Sequence, residues 1–164
     1  MTETTLSPSR LWKRMTAAQR LAAARAFWND EQAVDDHIQA ALVIAQHKKF
    51  RPKTVVGLDS DGKARHLASL PSLPDTVAAR VVVVYHLAEQ RPMMGAFLDA
   101  LGLAHDNGLM QEDDARPDGS KVGPAVAQIT QRFPAEDVGL YLNTLLWQDP
   151  ETWAALRGLP QTQV

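Results

Sequence analysis

The segment from Asp75 to Gln90 constrains the fold more than any other part of this sequence. No charged side chain lies between Arg80 and Glu89, and the run Val81-Val-Val-Val-Tyr85 has a composition that also suits a strand. The apolar pattern extends over about sixteen residues, however, which is longer than a typical strand, and it continues in good helix formers. Pro74 suits the start of a helix. We therefore predict a helix over 75–90 that other helices surround.

A capping-box spacing marks the start of a second helix. Thr16 and Gln19 stand three residues apart, so that each side chain can bond the backbone N–H of the other residue. The Ala-rich run that follows has high helix propensity, and we predict a helix over Ala17–Trp28.

Periodic apolar residues predict a third helix over Glu31–Gln46. Val34, Ile38, Leu42 and Ala45 are spaced so that they share one helix face. The polar residues Asp35, Asp36 and Gln39 lie off that stripe.

Proline and glycine divide the rest of the chain into short elements. We predict an all-α fold, an irregular bundle of about seven to nine helices, several of them short, around the helix over 75–90. With 164 residues the chain suits a single helical domain over 1–164. Residues 1–6 and 159–164 are expected to be frayed tails.

A 40-residue echo suggests a duplicated helix-turn-helix unit. Five residues separate Arg51-Pro52 from Leu58-Asp59. Five residues also separate Arg91-Pro92 from Leu98-Asp99. Such a period is in the range of helical repeats, although a solenoid needs about three copies. The alternative is that ordinary helix-start chemistry, with proline in the first turn, produces the match by chance.

The charge of the chain is unevenly distributed. Residues 1–65 carry eleven Lys/Arg and seven Asp/Glu, a balance of +4, and residues 66–164 carry six and twelve, a balance of −6. Such a charge dipole suits the docking of two halves of the chain, the association of two copies or the attraction of an anionic partner. The alternative is that the solvated faces simply differ.

The sequence favours a cytoplasmic protein without a membrane span. The uncharged run from Val81 to Ala88 is far shorter than the roughly 20 residues needed to cross a bilayer. The first 25 residues are rich in Lys and Arg and contain no apolar signal region. The chain has no cysteine, which excludes disulfides, thiolate nucleophiles and cysteine-type zinc sites.

The densest cationic run, over 47–53, is the main candidate for ligand binding. Lys49, Arg51 and Lys53 lie at a predicted helix start, where backbone N–H groups and the helix dipole favour anions. Arg91 would provide a second such position if the echo is structural. The alternative is that these cations are solvated or complement the end of the preceding helix. Nucleic acid is a weaker expectation, because the chain is slightly acidic overall and few aromatic residues interleave with the cluster.

His86 is the one histidine within the most apolar helix. We interpret it as a buried, neutral and hydrogen-bonded side chain, and the alternative is a functional imidazole that lines a cavity. The sequence has no metalloprotease, phosphate-loop, dinucleotide or nucleophile-elbow motif. We predict no metal site and no cofactor.

These observations do not identify a function. The leading hypothesis is a non-catalytic helical binding or protein-interaction module, with a protein partner or self-association. The alternative is a small enzyme or ligand-binding protein with an anion-accepting pocket near Arg51, Arg91 and His86. A third hypothesis is a regulator that contacts nucleic acid through residues 47–53.

Overall fold

The computed structural model describes residues 5–163. Within this range nine α-helices and two very short strands follow one another as α1 (Pro8–Arg14), α2 (Ala17–Asn29), α3 (Val34–Lys48), α4 (Pro52–Val56), α5 (Ser60–Ala68), α6 (Asp75–Glu89), α7 (Arg91–Ala100), β1 (His105–Asp106), β2 (Leu109–Met110), α8 (Gly119–Arg132) and α9 (Ala135–Gln148). Short 3-10 helices span Glu31–Ala33, Ala154–Leu156 and Pro160–Gln163. The prediction of an all-α, multi-helix fold is confirmed.

The chain forms two compact units. Residues 7–89 make up the first, and residues 90–163 make up the second, with which residues 5–6 are grouped. Each unit is described separately below. The expectation of one domain over 1–164 stays a prediction.

Helix α6 is the core element of the first unit. It packs against α1, α2 and α3, and its buried residues are Val77, Ala78, Val81, Val82, Val84, Tyr85 and His86. Burial of these side chains among neighbouring helices outweighs the small loss of helix propensity that β-branched residues carry. The length of the apolar pattern therefore predicted the conformation correctly, although its valine run suits a strand.

Helix α2 begins at the predicted capping box. The Thr16 hydroxyl accepts from the Gln19 N–H at 3.1 Å, and the Thr16 N–H donates to the Gln19 side chain at 2.8 Å. Ala23, Ala24 and Phe27 are buried, and the helix packs against α5 and α6. The predicted helix over Ala17–Trp28 is confirmed.

Helix α1 is fixed to the segment after α5 by one buried hydrogen bond. The indole Nε1 of Trp12 donates to the carbonyl oxygen of Leu70 at 3.0 Å, and both residues are buried. At the start of α1, the Ser9 N–H donates to the Asp75 carboxylate at 3.0 Å. These bonds join α1 to the segment that leads into α6.

The 40-residue sequence echo is not matched by secondary structure. In the first copy α4 ends before Gly57, and Asp59 accepts a hydrogen bond from the Gly62 N–H as the N-cap of α5. In the second copy Phe97 stands where the first has Gly57, and α7 continues through Asp99. A glycine that ends one helix and a phenylalanine that extends the other give the two copies different structures.

The second unit is built from α7, α8 and α9. Helix α8 packs against both α7 and α9. The ring of Phe97 lies 5.7 Å from the rings of Tyr141 and Trp153, measured between centroids. Burial raises the pKa of the Tyr141 hydroxyl. These aromatic contacts form a core that includes residues from the segment after α9.

A tight hairpin precedes α8. Strands β1 and β2 pair antiparallel around Asn107 and Gly108, both of which have positive φ. This Asn-Gly pair is the preferred sequence for a two-residue hairpin turn. His105 accepts from the Gly108 N–H through Nδ1 at 3.0 Å, and its Nε2 pairs with the Asp99 carboxylate at 2.7 Å. The imidazole thus fixes the hairpin to α7.

The end of the described chain packs against α9. Buried Asn143 donates through Nδ2 to the carbonyl oxygens of Gly139, at 2.8 Å, and Thr162, at 3.0 Å. Thr162 is itself buried. Residues 160–163 therefore form a packed 3-10 helix in a segment for which the sequence predicts a frayed tail. The residues 1–4 and 164 of the predicted tails lie outside the described range.

None of the helices within residues 5–163 combines the length and the apolarity that a bilayer crossing requires.

Candidate interaction surface

Helix α3 is held in the first unit by a face of small and apolar residues. Ala40, Ala41, Ile44 and Ala45 are buried, and the helix packs against α4, α5 and α6. Alanine side chains at these positions let the neighbouring helices approach closely. His37 adds a polar contact, because its Nε2 donates to the carbonyl oxygen of Phe27 on α2.

Two further polar contacts fix α3 to α6. The Arg80 Nε donates to the Asp36 carboxylate at 2.9 Å, and the Thr76 hydroxyl donates to the Gln39 side chain at 3.0 Å. Exposed pairs of this kind contribute little to stability. The rotation of α3 about its axis is therefore determined mainly by the burial of Ala40, Ala41 and Ile44.

This orientation leaves one apolar stripe of α3 exposed. Val34, Ile38 and Leu42 have relative exposures of 55%, 59% and 51%. They stand at i, i+4 and i+8, so that their side chains form one row along the helix. We call these three residues the outer stripe.

The three side chains of the outer stripe are neighbours on the helix surface. Single exposed apolar residues are normal on protein surfaces, whereas contiguous exposed apolar patches of more than roughly a few hundred Å² are rare on monomers. The sequence pattern correctly predicted a helix from these residues. An apolar helix face ordinarily packs on the core, but of the four residues in the predicted stripe only Ala45 is buried, together with Ala40, Ala41 and Ile44.

The sequence of α3 contains two apolar faces, but it does not indicate which of them is buried. The apolar residues of α3 include both the outer stripe and the set Ala40, Ala41 and Ile44. Together they cover a wider arc than one packing contact needs. Which of the two faces is buried depends on the neighbouring helices, and periodicity within α3 does not contain that information.

Opposite charges lie at the two ends of α3. Its first turn contains Asp35 and Asp36, and its last turn contains His47 and Lys48. Lys49 follows in the left-handed conformation, with φ of 59°. This distribution complements the helix dipole at both ends.

Three of the predicted anion-binding residues lie close together in sequence and are exposed. Lys49 ends α3, Arg51 is the N-cap of α4, and Lys53 lies in the first turn of α4. Helix α4 has only five residues, so its dipole is small. The anion-binding role of these cations stays a prediction.

His86 lies in the core of the first unit. It is 4% exposed, and its Nδ1 donates to the carbonyl oxygen of Val82 one turn earlier, at 2.9 Å. The neighbouring Tyr85 ring contacts the imidazole with 5.5 Å between centroids. These observations agree with the interpretation of a buried and hydrogen-bonded histidine, and a functional role for it stays a prediction.

Arg91 belongs to the second unit. It is the first residue of α7, and its guanidinium donates to the carbonyl oxygen of Asn107 in the hairpin turn at 3.1 Å. This contact gives Arg91 a structural role in docking the hairpin. Whether it also binds an anion stays a prediction.

Across residues 5–163, no three His, Asp or Glu side chains come together in a group that could hold a metal ion. No protein-family model, curated protein or solved structure matches this chain.

Proposed function

We propose that this protein is a non-catalytic helical interaction module that binds a protein partner through the outer stripe of α3. The observation that carries the proposal is the exposure of Val34, Ile38 and Leu42, each above one half. A row of three branched apolar side chains gains free energy when it is removed from water, at about 25 cal/mol per Å² of buried apolar surface. We place this activity in the cytoplasm.

The packing of α3 on its neighbours supports the proposal. Buried Ile44 and the hydrogen bonds of His37 and Asp36 hold the helix on α2 and α6. The outer stripe is thereby presented on a helix whose position is already determined. A preorganised surface loses less conformational entropy on binding than a flexible one.

The stripe has the form that helix recognition uses. Helical anchors at i and i+4 spacing fit an apolar groove or the face of another helix. The polar residues Asp35 and Gln39 border the stripe on α3, as expected of an apolar patch with a polar rim. A partner with its own apolar helix face therefore fits this surface.

Photo-cross-linking in the cell in which the protein naturally occurs tests the proposal. Ile38 would be replaced by a benzophenone-bearing residue in the full chain, and Arg65, an exposed residue on α5 of the same unit, would carry the same group as a control. We expect a discrete covalent adduct from position 38, absent at position 65, whose partner mass spectrometry identifies. The absence of an adduct from position 38, or an equal yield of the same adduct from position 65, would overturn the proposal.

A further inference from the structure

We infer that the partner of the outer stripe is a second copy of this chain, with the two α3 helices antiparallel across a two-fold axis next to Ile38. This inference rests on the proposed function, because it names the occupant of the same surface. It is carried by two observations, the symmetry of the stripe and the opposite charges at the ends of α3.

The stripe is symmetric about its central residue. Val34 and Leu42 each lie four residues from Ile38, which is about 6 Å along the helix axis on either side. A two-fold rotation beside Ile38 places Val34 against Leu42 of the second copy and Ile38 against its own counterpart. Each apolar side chain then meets an apolar side chain, as an isologous interface requires.

The charges at the ends of α3 select the antiparallel orientation. Glu31 and Asp35 are exposed near the first turn, and Lys48 and Lys49 end the helix. An antiparallel pair brings the acidic end of each helix towards the basic end of the other, and it also aligns the helix dipoles favourably. A parallel pair would bring acid to acid and base to base.

Lys48 lies about 15 Å from Ile38 along the axis of α3, and Glu31 lies beyond the opposite end of the helix, in the 3-10 helix Glu31–Ala33. The antiparallel pair therefore brings these opposite charges towards each other at both ends. The attraction between exposed charges of this kind weakens with added salt.

The size of the stripe determines the strength of the expected dimer. Three side chains cover less than the roughly 800 Å² per partner of a standard interface. We therefore expect an association that depends on protein concentration, and not a permanent dimer. The charged ends of α3 contribute to its orientation and to its salt dependence.

The absence of cysteine from this chain allows a direct test with the full-length purified protein. Each variant Val34→Cys, Ile38→Cys or Leu42→Cys contains one thiol, at a position that is more than half exposed. With a short bismaleimide, Ile38→Cys is expected to form a cross-linked dimer in several-fold higher yield than the exposed control Arg65→Cys. A mixture of Val34→Cys and Leu42→Cys chains, labelled with different tags, is expected to cross-link between the two tags.

Two outcomes would overturn the inference. A yield for Ile38→Cys no higher than that of Arg65→Cys would exclude the second copy as the occupant. Cross-linking of Val34→Cys to itself in place of Leu42→Cys would exclude the antiparallel arrangement. Neither result decides the proposed function. If position 38 forms an adduct with a different protein in the cell, the proposed function is supported and this inference fails.

Discussion

Ile38 and Ile44 lie six residues apart on the same helix, yet the first is 59% exposed and the second is completely buried. The difference arises because α3 packs on its neighbours through Ala40, Ala41 and Ile44. The same residue type on one helix therefore has two environments. Ile44 lies in the core of the first unit, and Ile38 lies at the surface.

This pair provides a matched test of the orientation of α3. Ile44→Ala is expected to lower the free energy of unfolding by roughly 2–5 kcal/mol, because it leaves a cavity in the core. Ile38→Ala is expected to change it by no more than about 0.5 kcal/mol, since its side chain is exposed. Urea denaturation at low protein concentration measures both values. Equal losses for the two variants would show that Ile38 is buried.

The hairpin turn provides a second matched pair, in the second unit. A Cβ at Gly108 would lie 2.8 Å from the Cβ of Met94, and the residue has φ of 91°. We expect Gly108→Ala to cost at least about 1 kcal/mol of stability, from backbone strain and steric conflict. Gly119, at the start of α8, has only the Cβ of Ala155 near the corresponding position, at 4.0 Å, and Gly119→Ala is expected to stabilise by up to about 1 kcal/mol.

Thermal and urea denaturation of the two glycine variants measure these effects. A stability for Gly108→Ala equal to or above that of the wild type would contradict the described docking of the hairpin on α7.

The hydrogen bond between Asn143 and Thr162 should determine how well the end of the chain is protected. Asn143→Ala leaves the buried carbonyl oxygen of Thr162 without this donor, which costs roughly 1–3 kcal/mol. We also expect faster trypsin cleavage after the exposed Arg157, measured by mass spectrometry. Gln148→Ala, at an exposed position of the same helix, serves as the control. Unchanged cleavage in Asn143→Ala would support the frayed tail that the sequence predicts.

Asp149 is expected to contribute to the loss of stability in acid. The Thr152 hydroxyl and N–H donate to this carboxylate, at 2.6 Å and 3.1 Å, and together with nearby Arg116 they lower its pKa below the ordinary value of 3.8. A lowered folded-state pKa gives stabilisation that is complete above the unfolded value and is lost as the pH falls through the folded value.

Replacement of Asp149 by Asn removes this contribution to the pH dependence. The free energy of unfolding of Asp149→Asn should therefore decrease less steeply than that of the wild type between about pH 5 and pH 2. Urea denaturation across this range measures the slopes. Equal slopes of the free energy of unfolding against pH for the two proteins would contradict the described contacts of Asp149.

Features that depend on local sequence were the most predictable. The capping box of Thr16 and Gln19 forms as expected, because both hydrogen bonds lie within one helical turn. Helix α6 was predictable from the length of its apolar pattern, since no strand of ordinary size fits sixteen such residues. The Asn107-Gly108 turn was predictable in position, whereas the two short strands beside it were not.

Features that depend on neighbouring elements were not predictable. The choice between the outer stripe and the face with Ile44 is made by the neighbouring helices α4, α5 and α6, on which α3 packs. The packed segment 160–163 depends in the same way on the Asn143 side chain. The candidate cations Arg51 and Arg91 share a sequence pattern but occupy different positions, since Arg51 is the N-cap of α4 and Arg91 is the first residue of α7.

Sedimentation velocity of the purified protein tests most directly whether the outer stripe binds a second copy. The wild type is expected to shift from monomer towards twice the monomer mass as its concentration rises, and added salt should reverse the shift. Ile38→Glu is expected to remain monomeric with an unchanged helical circular dichroism spectrum. A wild type that sediments as a monomer throughout, at the same rate as Ile38→Glu, would contradict self-association through α3.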